Sequence, residues 1–121
     1  MALGITPDPE LLSVVEGLVG GLAEQMGFPE PHRLGLVAGV GQACRLLMGT
    51  RVGNDGSEMH FEFAAFADRL EIVVEDGGTA SQPTEADSYL LTQWLDRVSM
   101  EDTEEGHVRL TLVKSLPGVR S

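Results

Sequence analysis

Residues 70–78 read Leu-Glu-Ile-Val-Val-Glu-Asp-Gly-Gly, and this stretch decides the fold. Apolar side chains recur at every second position from Leu70 to Val74, with glutamates beside them, which is the period of a half-buried strand. The strand leads directly into Asp76 and two glycines. A strand that delivers an acid into a glycine loop is one way to build a nucleotide site, and it is also an ordinary way to turn a chain.

Other short segments alternate in the same way. Residues 59–65 predict a strand that forms a hairpin with residues 70–76 through a turn at Asp68. Residues 108–112 predict a last strand, which follows an acidic hairpin turn at 101–106. Two shorter apolar segments predict a strand near residues 98–100 and an edge strand within residues 1–8.

Three segments have apolar residues at three- and four-residue steps, which predicts amphipathic helices over residues 9–26, 31–48 and 85–97. Asp8 as N-cap and Pro9 at the first helical position begin the first helix, and a glycine follows its last turn. The order is therefore strand, helix, helix, strand, strand, helix, strand, strand.

This order predicts an α+β fold, a two-layer sandwich with three helices on one face of a mixed, mainly antiparallel sheet. At 121 residues the chain has the length of one domain, which we assign to residues 1–115, with a tail at 116–121.

Composition excludes several classes of function. Nineteen acidic against eight basic residues give a formal net charge of −11, so nucleic acid and anionic membrane surfaces are not expected as partners. A single cysteine, Cys44, excludes an intramolecular disulfide and a cysteine metal cluster. No apolar run has the length of a membrane span, and the N-terminus lacks a signal pattern, so we expect a cytoplasmic protein.

Three segments carry a resemblance to a known family. They are Ile5–Glu10 at the start of the first helix, Ile72–Gly78, and Trp94–Val98 followed by Gly106–Lys114. In this order they resemble the GHKL (Bergerat-fold) ATPase and kinase superfamily, and within it the small bacterial anti-sigma-factor serine kinases. The likeness covers roughly residues 3–115. It implies the histidine-kinase-like ATPase fold.

The resemblance also implies a nucleotide contact. In the family, the aspartate of a D-x-G box accepts a hydrogen bond from the adenine amino group, and the following glycines let the backbone approach the base. By position, the cofactor-binding residues are Asp76, Gly77 and Gly78.

The second helix departs from the family pattern. The family has a glutamate there as base and, four residues later, an asparagine that holds magnesium. Alignment by the apolar face puts Val40 and Cys44 at these positions, and a shift of two puts Ala38 and Gln42 there. Neither register supplies the base, and only Gln42 even weakly imitates the magnesium ligand. We therefore assign no catalytic and no metal-binding residue.

The loop after the D-x-G box departs as well. Thr79 and Ala80 stand where the family has a further glycine, and Asp87–Leu91 replace a phosphate-cradling glycine stretch. Without these glycines the backbone nest is missing, and Asp87 would face phosphates with like charge. Phosphoryl transfer is therefore not expected, and ATP with magnesium is expected as a cofactor only if the site is functional.

Other candidate groups favour structural roles. Cys44 lies on an apolar helix face, where a thiol is inert packing. The histidines His32, His60 and His107 have no metal-ligand spacing. The acidic run Glu101–Glu105 is typical of a solvated hairpin tip, and its functional alternative is recognition of a basic surface.

Three functional hypotheses remain. The first is a regulatory protein-binding module resembling an anti-sigma factor, a pseudokinase in transcription regulation, whose partner is a sigma factor or a partner-switching regulator. The likeness also implies a homodimer. The second is a serine/threonine protein kinase that binds ATP through Asp76 with an atypical magnesium site. The third is a non-catalytic nucleotide sensor.

Overall fold

The computed structural model describes residues 2–5, 9–50, 59–76, 89–102 and 108–116, with side chains for 12–46, 59–75, 89–101 and 108–116. Its elements follow the predicted order, with a short helical stretch at 89–91 before the fourth strand. The bounds are β1 (Ala2–Ile5), α1 (Pro9–Met26), α2 (Glu30–Thr50), β2 (Met59–Ala65), β3 (Arg69–Asp76), β4 (Arg97–Asp102) and β5 (Val108–Ser115).

The strands form one five-stranded sheet in the order β1-β2-β3-β5-β4. Every pairing between these strands is antiparallel, so the α+β fold with a mainly antiparallel sheet is confirmed. The predicted hairpin joins β2 to β3, and β5 covers the other side of β3. The strand that contains residues 70–76 is therefore the centre of the sheet.

Both helices lie on one face of the sheet, and the core fills the space between the layers. Each helix contributes a buried apolar stripe to this core, and the strands contribute every second residue. The buried strand residues are Met59, Phe61, Phe63, Leu70, Ile72, Val74, Val108, Leu110 and Leu112. Among the described helices, neither combines the length and apolarity needed to cross a membrane.

Helix α1 has the predicted bounds. It ends at Met26, and Gly27 follows with a φ of 90°, a backbone conformation that favours glycine. The Gly27 amide donates to the carbonyl of Glu24 and the Phe28 amide to that of Ala23, which satisfies the last turn. Asp8, the predicted N-cap, lies outside the described residues.

The opposite face of the sheet carries no described helix, and we call it the open face. Its side chains come from the alternate positions of the strands and are mostly polar or small, with two valines among them. The central ones are His60, Glu62, Ala64, Glu71, Val73, Glu75, Arg109, Thr111 and Val113. The two-residue period therefore separates a dry core from a polar surface.

The predicted third helix was too long at its C-terminal end. Residues 89–91 are helical, but the amides of residues 92–94 bond three residues back, with Gln93 N–H donating to the Leu90 carbonyl. Asp96 N–H already donates to the Val113 carbonyl of β5, and β4 begins at Arg97. Pairing with β5 therefore ends the helix before the apolar pattern does. Its predicted start at residue 85 lies outside the described residues.

The predicted acidic turn also gives way in part to a strand. Glu101 and Asp102 continue β4 and pair with Arg109 and Val108 of β5. Residues 103–107 lie outside the described residues. At the other end of β5, Leu116 N–H donates to the Asp68 carbonyl at the turn of the β2-β3 hairpin.

Candidate functional site

The predicted adenine contact lies at the end of the central strand. Asp76 is the last residue of β3, and its backbone pairs with Met59 of β2 and Val108 of β5. Its side chain and both glycines, Gly77 and Gly78, lie outside the described residues. The structure thus places the acid where β3 leaves the sheet, and the nucleotide role of these three residues stays a prediction.

One residue earlier, β3 contributes to an ion-pair ladder on the open face. The guanidinium of Arg109 lies 3.3 Å from a carboxylate oxygen of Glu75 and 3.2 Å from one of Glu101. The three residues are direct register partners on β3, β5 and β4. Hydrogen bonds to Glu75 and then Glu101 raise the pKa of Arg109. The ladder ties three strands together beside Asp76.

The sequence pattern alone does not predict this ladder, because it places Glu101 in a hairpin turn and gives no partner for Arg109. The signal that identifies the ladder is the strand register, since Arg109 follows the first core residue of β5 and so must face outward.

The second helix presents neither a base nor a magnesium ligand. In the apolar register, Val40 and Cys44 are fully buried against the core. In the shifted register, Ala38 is exposed and Gln42 is half-buried. The one acid within α2 is Glu30, in its first turn. Whichever register applies, the helix offers no carboxylate beyond its first turn.

The described residues therefore do not fit a magnesium ion. Mg²⁺ takes oxygen ligands in octahedral geometry and is held beside phosphates by carboxylates. Valine, alanine and a buried thiol cannot replace them. Over the described ranges, no group of three histidine, cysteine or acidic side chains could hold a metal ion. We derive no chemical step through magnesium or ATP.

Cys44 lies in this dry helix–sheet layer. Burial raises the pKa of its thiol to about 12, with a smaller contribution from the Glu16 carboxylate. The carboxylate of Glu16 lies 3.3 Å from the guanidinium of Arg45, and this ion pair joins α1 to α2 beside the cysteine. A thiol buried in this way is expected to be inert, as the apolar helix face predicts.

We expect Cys44 to resist thiol reagents in the folded protein. With a pKa of about 12, roughly one thiol in ten thousand is ionised at pH 8. The modification rate with a disulfide reagent should be that of a free thiol reduced by the small fraction of opened molecules, and it should reach the free-thiol rate in urea. Because the folded pKa exceeds the unfolded one, stability should fall from about pH 9 upward. Fast labelling of Cys44 in the folded protein would contradict the expected resistance to thiol reagents.

The face of α2 that points away from α1 is covered by residues 94–95. A Cβ built on Gly39 would lie 3.0 Å from Leu95 Cγ and 3.2 Å from Trp94 Cβ. The segment therefore approaches the α2 backbone so closely that a side chain at position 39 would displace it. Tyr89, five residues before Trp94, is 69% exposed.

Comparison with known proteins gives one relevant likeness. The chain is 28% identical to the serine-protein kinase RsbW of Bacillus licheniformis over 114 residues. The match covers 89% of this chain and 68% of that kinase. No family model matches the chain. The similarity supports the family resemblance seen in the residue pattern.

Proposed function

We propose that this chain is a regulatory protein-binding domain of the anti-sigma-factor type that does not transfer phosphoryl groups. The similarity to a serine-protein kinase supports the regulatory class. The observation that argues against phosphoryl transfer is the composition of α2. The positions of the base and the metal ligand hold Val40 and Cys44 in one register, and Ala38 and Gln42 in the other.

The open face of the sheet supports the proposal that this domain binds a protein. It holds a shallow depression of about 370 Å³ over the middle of the sheet, with Ala64 and Val73 at its floor. Glu62 and Glu71 also line this depression, and the carboxylate of Glu71 already pairs with the Arg69 guanidinium at 3.3 Å, so Glu62 is its exposed acid. A partner with a basic surface would complement this face, and such complementarity raises association rates and selects partners. A sigma factor or a partner-switching regulator is the partner we propose, and a homodimer is the assembly.

The alternative with support is a nucleotide sensor. The strand-end position of Asp76 and its two following glycines is compatible with adenine binding, which needs no residue of α2. In this version the domain binds ATP or ADP without chemistry, and nucleotide state sets the affinity for the partner. The kinase alternative, with an atypical magnesium site, has less support because α2 presents no acid beyond Glu30 in its first turn.

Calorimetric titration with magnesium-ATP and with ADP separates these functions. We expect no phosphoryl transfer to any partner and no heat of binding at about millimolar nucleotide. Cooperative unfolding of the same sample shows that a lack of binding does not come from unfolded protein. Transfer of the γ-phosphoryl group to a partner serine would overturn the proposal in favour of the kinase.

Micromolar binding without transfer would instead favour the sensor. Asp76→Asn should then abolish binding and leave the melting temperature nearly unchanged. Glu62→Gln, which removes one negative charge from the open face, is the matched control and should bind normally. Binding of purified sigma factors, with salt dependence of the association rate, tests the regulatory role directly.

A further inference from the structure

A second cleft lies at the opposite end of the sheet from Asp76. It has a volume of about 250 Å³ and is formed where the start of α2 meets the turn after residue 91 and the end of β5. Its lining residues are Pro31, His32, Gly35, Gln93, Trp94 and Lys114. Three separate parts of the chain therefore meet around one small space.

The strand register shows that this cleft is distinct from the predicted nucleotide site. Asp76 pairs with Val108 at one end of β5, whereas Lys114 pairs with Leu70 near the other. Six residues of antiparallel strand span about 20 Å. Lys114 also shares the face of Leu112, so its side chain emerges on the helix side of the sheet and not on the open face.

The charge of this cleft is opposite to that of the chain. Lys114 is the one lysine of a protein with a net charge of −11. Among the described residues that line the cleft none is acidic, and no ion pair joins Lys114 to another described side chain. Asp96, close by, accepts a hydrogen bond from the Ser115 amide at 2.6 Å. Within the described residues, half-buried Lys114 therefore has no ion-pair partner.

The lining is also rich in hydrogen-bond donors. Lys114 offers an ammonium group, His32 an imidazole N–H, Gln93 an amide and Trp94 an indole N–H. An ionised carboxylate accepts hydrogen bonds and donates none, so it complements such a set. The cleft is smaller than the pockets that hold drug-sized ligands. A group of a few atoms fits it, and the net charge of the chain disfavours a multiply charged anion.

We propose that this cleft binds a single carboxylate group, with Lys114 as its counter-ion. The carboxylate comes either from a small free acid or from an acidic side chain of a bound protein segment. This inference rests on the cleft alone and stands or falls independently of nucleotide binding and phosphoryl transfer.

The chain supplies its own probes for the test. Trp94 is the one tryptophan, so its fluorescence reports on the cleft, and a ¹³C-dimethyl label on Lys114 gives the one lysine signal. The titrants are acetate, an end-blocked Gly-Gly-Glu-Gly-Gly peptide, its glutamine counterpart, inorganic phosphate and chloride. We expect acetate or the glutamate peptide to saturate both signals with a dissociation constant of about 1 mM. The tighter binder of the two, acetate or the glutamate peptide, identifies whether the carboxylate comes from a free acid or from a protein segment.

Matched variants assign the binding to the lysine. Lys114→Gln, followed by fluorescence, should weaken binding about tenfold or more because a charge-assisted hydrogen bond is lost. Arg97→Gln removes the same charge from β4 and should change affinity less than about twofold. The proposal is overturned if neither carboxylate saturates the signals below about 50 mM, if phosphate or chloride binds equally well, or if both variants bind alike.

Discussion

Replacing Ile72 with alanine should lower the free energy of unfolding by about 2–5 kcal/mol. Ile72 is fully buried at the middle of the central strand, directly between Phe63 of β2 and Leu112 of β5. Truncation removes apolar surface from the core and leaves a cavity that two rigid neighbouring strands cannot close. Urea unfolding followed by circular dichroism measures the loss, and an unchanged m-value shows that two-state behaviour is retained.

The neighbouring residue provides the control. Val73 lies on the open face and is half-buried among polar side chains. Val73→Ala removes less material from a site that water already reaches, so it should cost under about 1 kcal/mol. Equal losses in the two variants would contradict the assignment of Ile72 to the core face. That assignment follows from the two-residue period and orients the whole sheet.

The strands and the first helix were predictable because local signals agree with tertiary contacts. Alternation in residues 59–65 and 70–76 already separates core from open face, and this separation needs no knowledge of the partner strand. Pro9 and Gly27 mark the ends of α1 because their backbone preferences act locally. In these segments a local rule and the packed fold require the same conformation.

The third helix shows where such rules fail. Leu90, Leu91, Trp94 and Leu95 have helical spacing, yet the chain leaves the helix after Leu91. Two distant contacts decide this: the pairing of Asp96 with Val113 and the close approach of Leu95 to Gly39. Neither contact can be read from the local sequence, since each depends on where α2 and β5 lie in the fold.

The candidate sites also differ in whether one segment of sequence is enough to predict them. The strand-end position of Asp76 follows from one segment and was predictable, whereas its contact with adenine stays a prediction. The ladder through Arg109 needs the register of three strands. The cleft at Lys114 needs three segments that are far apart in sequence. Sequence alone treats Arg109 and Lys114 as ordinary surface residues.

Gly39→Val should destabilise the fold by about 1–3 kcal/mol, even though valine is the better helix former. The first added carbon would already lie 3.0 Å from Leu95 Cγ and 3.3 Å from Leu95 Cδ1, inside normal contact distance. The two γ-carbons of valine need further space between α2 and residues 94–95. Urea unfolding measures the stability, and Trp94 fluorescence reports whether its indole becomes more exposed.

Gly35→Ala is the matched variant one turn earlier on the same helix face. Its new Cβ would lie 3.7 Å from Trp94 Cδ1, an ordinary contact, so the change should gain up to about 1 kcal/mol from helix propensity. Stability changes of opposite sign in the two variants would show that close packing requires a glycine at position 39 and not at position 35. Stabilisation by both would mean that residues 94–95 move aside at little cost.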